Sequence, residues 1–217
     1  MARALAGRSR GIPGPTYAPG MPPDPAAGPF TTADLDRLAD TAVAAWTAGL
    51  DRDWSARAGT LEWSCARTAD HMVDAVLAVA VFLASRKQDG YPDWWGELTM
   101  GPDARPADLV EALGTAARVL SAVVAAAPPD ARAVIWRRPR PEVRGPADFP
   151  PRGALELVLH AHDVCAGLGV PFAPPADACA KLRDHTRDWP HWRSPGWCRP
   201  PTTTDPWHDL LAGSGRA

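Results

Sequence analysis

Arg152-Gly-Ala-Leu-Glu156-Leu-Val-Leu-His160-Ala-His162-Asp163-Val-Cys-Ala-Gly167 is the stretch whose reading decides the fold. It reads as one helix from about Arg152 to Gly167, with Gly169 and Pro171 as its stop. Each helical residue advances the side chain by about 100°, so Glu156 and His160 stand roughly 40° apart, one turn above the other. Asp163 returns to the same face. Leu155, Leu157, Val158, Leu159 and Val164 surround the pair, which makes Glu156 and His160 hard to place wholly in water. A carboxylate and an imidazole stacked in this way form a two-point metal grip that a third ligand from another helix completes.

His71 is the candidate third ligand. It lies near the start of a second predicted helix, Cys65 to about Arg86, which is apolar nearly all round, as a centrally packed helix is. A polar ring in such surroundings needs a partner. His71, Glu156 and His160 together would leave coordination positions open, as catalytic sites do, and two imidazoles with one carboxylate suit zinc or non-haem iron. Asp163 and Asp74 are candidates to orient His160 and His71 through the ring N–H turned away from the metal. The plainer reading makes Glu156 and His160 an exposed intrahelical pair, and Asp163 and Asp74 surface carboxylates. His162 lies about 240° round the helix from Glu156 and is not counted as a ligand. His185, His191 and His208 read as solvent-facing.

Elsewhere the pattern is helical. Thr31 or Thr32 caps a first helix running to about Gly49, with Leu35, Leu38, Ala42, Val43 and Trp46 on its apolar face. Pro106 opens a third helix carrying Leu109, Leu113, Ala116, Leu120 and Val124, and Pro128 and Pro129 end it. The proline-broken stretch to Pro151 suits an extended crossover, and its basic run Trp136-Arg-Arg-Pro-Arg140 reads as solvated loop or as an anion-steering patch. A short helix near Asp177 to Asp188 and a turn around Pro206 to Leu211 follow. No useful length of sequence alternates with period two. The expectation is an all-α fold: residues 1–30 a disordered Pro/Gly-rich tail, with Met21 an alternative start, residues 31–170 a four-helix bundle, and residues 171–217 a helical extension packed on it.

Composition excludes some function classes. A net charge of −2 gives no reason to expect nucleic acid or an anionic membrane as partner. No apolar run approaches the roughly 20 residues of a membrane span, and residues 1–29 lack the apolar core of a secretory signal. Cys65, Cys165, Cys179 and Cys198 show no CxxC spacing and no base partner, which predicts free thiols in a reducing cytoplasm. Ten tryptophans is a high number. Trp94, Trp95, Trp189, Trp192, Trp197 and Trp207 fall outside predicted helices, to clamp loops onto the bundle or to line a substrate cleft.

Trp63-x7-His71, Glu156-x3-His160-x2-Asp163-x5-Gly169 and the ending Leu210-Leu211-x3-Gly215-Arg216 together resemble the mycothiol-dependent maleylpyruvate isomerase family of the DinB-like superfamily, over roughly Thr31 to Arg216. The resemblance implies a four-helix bundle holding zinc or a similar divalent ion through His71, Glu156 and His160. It implies mycothiol as cosubstrate, with a metal-activated thiolate acting on a small electrophile in a transfer or isomerisation. It also implies substrate binding by a C-terminal arginine, for which Arg216 is the tail position available. His162 stands where the family commonly has Trp, and 48 residues follow Gly169 where the isomerase has a substantial second domain, so maleylpyruvate itself is not the expected substrate. A thiol-independent metal hydrolase and a non-catalytic metal- or ligand-binding bundle are the competing expectations.

Overall fold

The computed structural model describes residues 28–101, 103–137, 140–189 and 205–217. The expected tail over residues 1–30 therefore lies almost wholly outside the described residues, as do His191, Trp192, Trp197 and Cys198. Phe30, at the inner end of that stretch, is already buried in the core.

Helix α1, Thr32–Thr47, starts where Thr31 donates its backbone N–H and its hydroxyl to Asp34 Oδ2, and buries Leu35, Leu38, Ala42 and Trp46. Helix α2, Cys65–Ser85, starts at Ser64, whose hydroxyl accepts from the Arg67 N–H at 3.2 Å. It stops at Arg86, whose left-handed backbone (φ 52°) breaks the helical run. Helix α3, Pro106–Ala126, begins on its proline, which lacks the N–H that a first turn leaves unpaired. Helix α4, Phe149–Leu168, begins three residues before the sequence-based start, because Pro150 and Pro151 are tolerated in a first turn on the same ground. Gly169, at φ +67°, ends it in the left-handed region that glycine enters freely. Helices α5, Ala176–Thr186, and α6, Pro206–Gly213, complete the chain.

The first four helices close into a ring in which α1 and α2 sit opposite each other, each packed against both α3 and α4. The α2–α4 contact is the one that matters for the site. Two glycines let α4 approach its neighbours closely. A Cβ on Gly153 would stand 2.3 Å from Leu120 Cδ2 of α3, and one on Gly167 would stand 2.2 Å from the Arg57 carbonyl oxygen. Helix α5 is tied to α1 by the Lys181 ammonium, 3.0 Å from the Asp34 carboxylate, and it packs on α6.

The stretch read as an extended crossover contains a short antiparallel hairpin, β1 (Ala133–Trp136) with β2 (Glu142–Arg144), irregular between Val134 and Trp136. Ala-Val-Ile-Trp of β1 is buried throughout and lies on α2, so it never shows the alternation that marks a half-buried strand. The molecule remains mostly helical. Helices α2 and α3 are, by length and composition alone, apolar enough to cross a membrane, which the sequence reading had not allowed. Here α2 packs between α3 and α4.

Several tryptophans do hold loops in place. Trp54 is buried edge-on against Trp46 and donates to the Gly49 carbonyl at 3.0 Å. Trp189 packs on Trp136, and Trp207 on Phe172 and His162. His208 is exposed as expected. His185 is not: its Nε2 lies 3.0 Å from Asp148 Oδ1 and its ring packs on Trp189, because α5 folds back over the start of α4. Cys65, Cys165 and Cys179 are free and buried, and burial pushes the Cys165 and Cys179 thiols up to about 12.

Replacing Gly167 by Ala should destabilise the fold. An added methyl in a helix interior would by itself gain about 0.5–1 kcal/mol. The clash with backbone at residue 57 should outweigh that by about 1–3 kcal/mol, read as a lower urea midpoint at unchanged slope.

Candidate metal centre

The α2–α4 contact brings the two predicted ligand segments together. One ring nitrogen each of His71 and His160 and one carboxylate oxygen of Glu156 all lie within 4.8 Å of one another, on three half-buried side chains. The two imidazoles meet edge to face with centroids 5.3 Å apart. Glu156 Oε2 lies 3.6 Å from His160 Nε2. Two donors on a tetrahedral zinc with bonds of about 2.1 Å stand roughly 3.4 Å apart, so this pair is already near ligand spacing.

The donor chemistry fits a cation. His160 Nδ1 lies 3.1 Å from Asp163 Oδ2, and an ionised carboxylate only accepts, so Nδ1 carries a proton. In the neutral ring, Nε2 then turns its lone pair toward Glu156 Oε2. Two such acceptors repel unless a proton or a metal ion lies between them. Burial, and then the neighbouring His160, lower the pKa of His71, which keeps that ring neutral and its lone pair free to ligate. Burial alone would push the Glu156 carboxyl up, yet the Arg152 guanidinium, with His160 and His71, holds it at about 2. The cluster could therefore hold a metal ion.

Asp163 is buried on the same face of α4, and two partners offset its loss of water. Burial would raise its carboxyl, but the hydrogen bonds from His160 and Arg216 hold it below the ordinary range. Arg216 reaches it from the C-terminal end. Gly215 turns the chain at φ +75°, and the Arg216 N–H donates to the Leu211 carbonyl at 2.8 Å. Its Nε then lies 2.9 Å from Asp163 Oδ1 and its Nη2 2.8 Å from Oδ2, while Nη1 donates to the Ser214 carbonyl at 3.4 Å. All three guanidinium nitrogens are thus engaged. Arg216, the residue expected to meet substrate, stands behind Asp163, two hydrogen bonds from His160.

Asp74, expected on the His71 ring, accepts from the Leu98 N–H at 2.8 Å, and Asp70 accepts from the Met100 N–H at the same distance. No hydrogen bond joins Asp74 to His71 among the described residues. One turn apart on α2, these two carboxylates pin the Trp-rich loop along the helical turn that carries His71. Trp94 projects from that loop, 73% exposed. The Trp63 ring packs edge-on to His71 at 5.1 Å, with the Arg67 guanidinium 4.7 Å above it. His162 packs on Trp207, on the α6 side, and stands outside the His71–Glu156–His160 cluster.

Arg152 is the neighbour that sequence reasoning missed. It sits one turn before Glu156 and donates to Glu156 Oε1. The signal was present, since Arg152, Glu156 and His160 are spaced four apart along one helix.

A mostly helical ring of four with a His-His-Glu cluster between two of its helices has the DinB-like architecture. Residues 37–165, more than half of the chain, match the mycothiol maleylpyruvate isomerase N-terminal domain, and the chain belongs to that family. No curated protein and no solved structure gives a significant match.

Arg216→Ala should leave the buried Asp163 carboxylate short of a partner and lower stability at pH 7 by about 1–3 kcal/mol. Because the folded-state pKa of Asp163 is depressed, its contribution is present above the unfolded value and lost as pH falls through the folded one. The gap between wild type and variant should accordingly close on acidification below the ordinary carboxylate range. Urea titrations at neutral and acid pH measure it, and a gap independent of pH would contradict the pairing.

Proposed function

We propose that this chain is a divalent-metal-dependent transferase or isomerase that uses mycothiol, or a closely similar thiol, on a small electrophilic metabolite in the cytoplasm. The observation that carries this reading is the convergence of His71 with Glu156 and His160 in a member of this family. Those three side chains would hold the ion, with zinc favoured by two imidazoles and one carboxylate. Bound there, the ion would lower the pKa of a ligated thiol or water and so supply a nucleophile at neutral pH.

The chain's own residues have separable tasks. Asp163 keeps the His160 proton on Nδ1 and so presents Nε2 to the ion. Arg216 keeps Asp163 ionised and oriented. The Trp63 ring packs edge-on to the His71 ring, and Asp70 and Asp74 pin Met100 and Leu98 along the same stretch of α2. These apolar groups suit the flank of a small organic substrate.

Purified protein should carry about one equivalent of zinc, as a single three-ligand site predicts. His71→Ala and Glu156→Ala should each lose it with helix content by circular dichroism largely kept, and His162→Ala should retain it. Full stoichiometry in both of the first two variants would remove the ligand assignment. Calorimetric titration of the zinc-loaded protein with mycothiol should give binding that vanishes on chelation. Metal-dependent turnover with no thiol requirement would move the reading to a metal hydrolase.

A further inference from the structure

Arg152 is no member of the ligand cluster, yet it touches the one carboxylate in it. Its side chain is only 15% exposed, and Nη1 holds Glu156 Oε1. The two oxygens of Glu156 are therefore divided: Oε1 belongs to the guanidinium and Oε2 faces His160 Nε2 at 3.6 Å. Arg152 Nε is buried with no acceptor among the described residues. Leaving such an N–H unpaired is unfavourable, so other contacts hold the side chain there, and the bond to Glu156 is the one that bears on the site.

We infer that Arg152 is a positioning residue that makes Glu156 a one-oxygen ligand of cancelled charge and so makes the open coordination positions selective for a small anion. This rests on the reading of His71, Glu156 and His160 as metal ligands. A free carboxylate can grip a cation through both oxygens and fill two positions. With Oε1 held by the guanidinium, one oxygen is left to ligate. Charge acts in the same sense. The Glu156–Arg152 pair sums to zero, two imidazoles that ligate a metal through their lone pairs add no charge, and Asp163 is offset in the same way by Arg216. A bound dication then keeps its charge in half-buried surroundings, where attraction to an anionic ligand is stronger than in water. Asp74 and Glu97 also act on His71, but Asp74 is engaged by the Leu98 N–H and Glu97 is exposed, so water and salt screen it. A thiolate meets the requirement; so do other small anions.

The test uses full-length protein loaded with cobalt(II), whose absorption spectrum reports the open positions, titrated with azide and separately with imidazole. In wild type, azide should bind at lower concentration than imidazole. Arg152→Gln should weaken azide by at least about tenfold, the change that one pKa unit of charge interaction produces, with imidazole affinity unchanged. The same variant should bind cobalt more tightly, because the carboxylate is no longer neutralised. Arg152→Lys, which keeps the charge, should restore azide binding. Equal azide affinity in wild type and Arg152→Gln, or a parallel loss of azide and imidazole, would reduce Arg152 to a structural role. If the glutamine variant fails to fold, the wild-type order of affinities still decides, since imidazole binding ahead of azide overturns the proposal. Failure of wild type to take up cobalt would instead remove the metal-ligand reading on which this one stands.

Discussion

The Glu156 carboxylate lies where α2 meets α4, one turn after Arg152 and one turn before His160. Moving an isolated carboxylate out of water costs several kcal/mol even after the protein relaxes, so it must be matched by cations or donors on the spot. Arg152 matches one oxygen. The other faces His160 Nε2 at 3.6 Å, within a cluster whose two imidazoles could each offer a lone pair to a cation. The unmet demand at that second oxygen is what gives this end of the bundle the character of a cation site.

Packing puts that demand in a fixed place. Leu155, Leu157, Val158 and Leu159 are fully or almost fully buried, so the turn of α4 that carries Glu156 cannot rotate without exposing apolar surface. Gly153 and Gly167 bring the same helix close to Leu120 and to residues 57–58, while Cys65 at the start of α2 lies 3.6 Å from the Val164 carbonyl. The two helices that carry the cluster are therefore held together by contacts distinct from the cluster itself. Such rigid support lets three side chains keep ligand spacing.

The site is also built across the edge of the family match. The matched region ends at residue 165, just past Asp163, whereas Arg216 comes from beyond α6. The C-terminal segment is anchored to α1 through Lys181 and Asp34, and Arg183 Nη1, 3.2 Å from Asp209 Oδ2, ties α5 to α6. The bundle supplies the donors, and the segment after it supplies the cation that keeps Asp163 ionised. This makes the C-terminal segment part of the centre as well as a cover for the bundle.

What the sequence determined by itself was periodic and local. The apolar spacing of α1, α3 and α4, the prolines that open helices and the glycine that closes α4 were all legible, because helix rules act within a few residues. So was the shared face of Glu156, His160 and Asp163, since a 3.6-residue repeat fixes it. The hairpin was not legible, because Ala133–Trp136 is buried on both faces and gives no alternation. Only the tertiary structure decided that His71 meets the α4 pair, that Asp74 turns to Leu98 and that Arg216 ends on Asp163. Those outcomes depend on which helices are neighbours in the ring and on where the chain returns after many residues. No local spacing encodes them; they follow from burying several apolar faces at once.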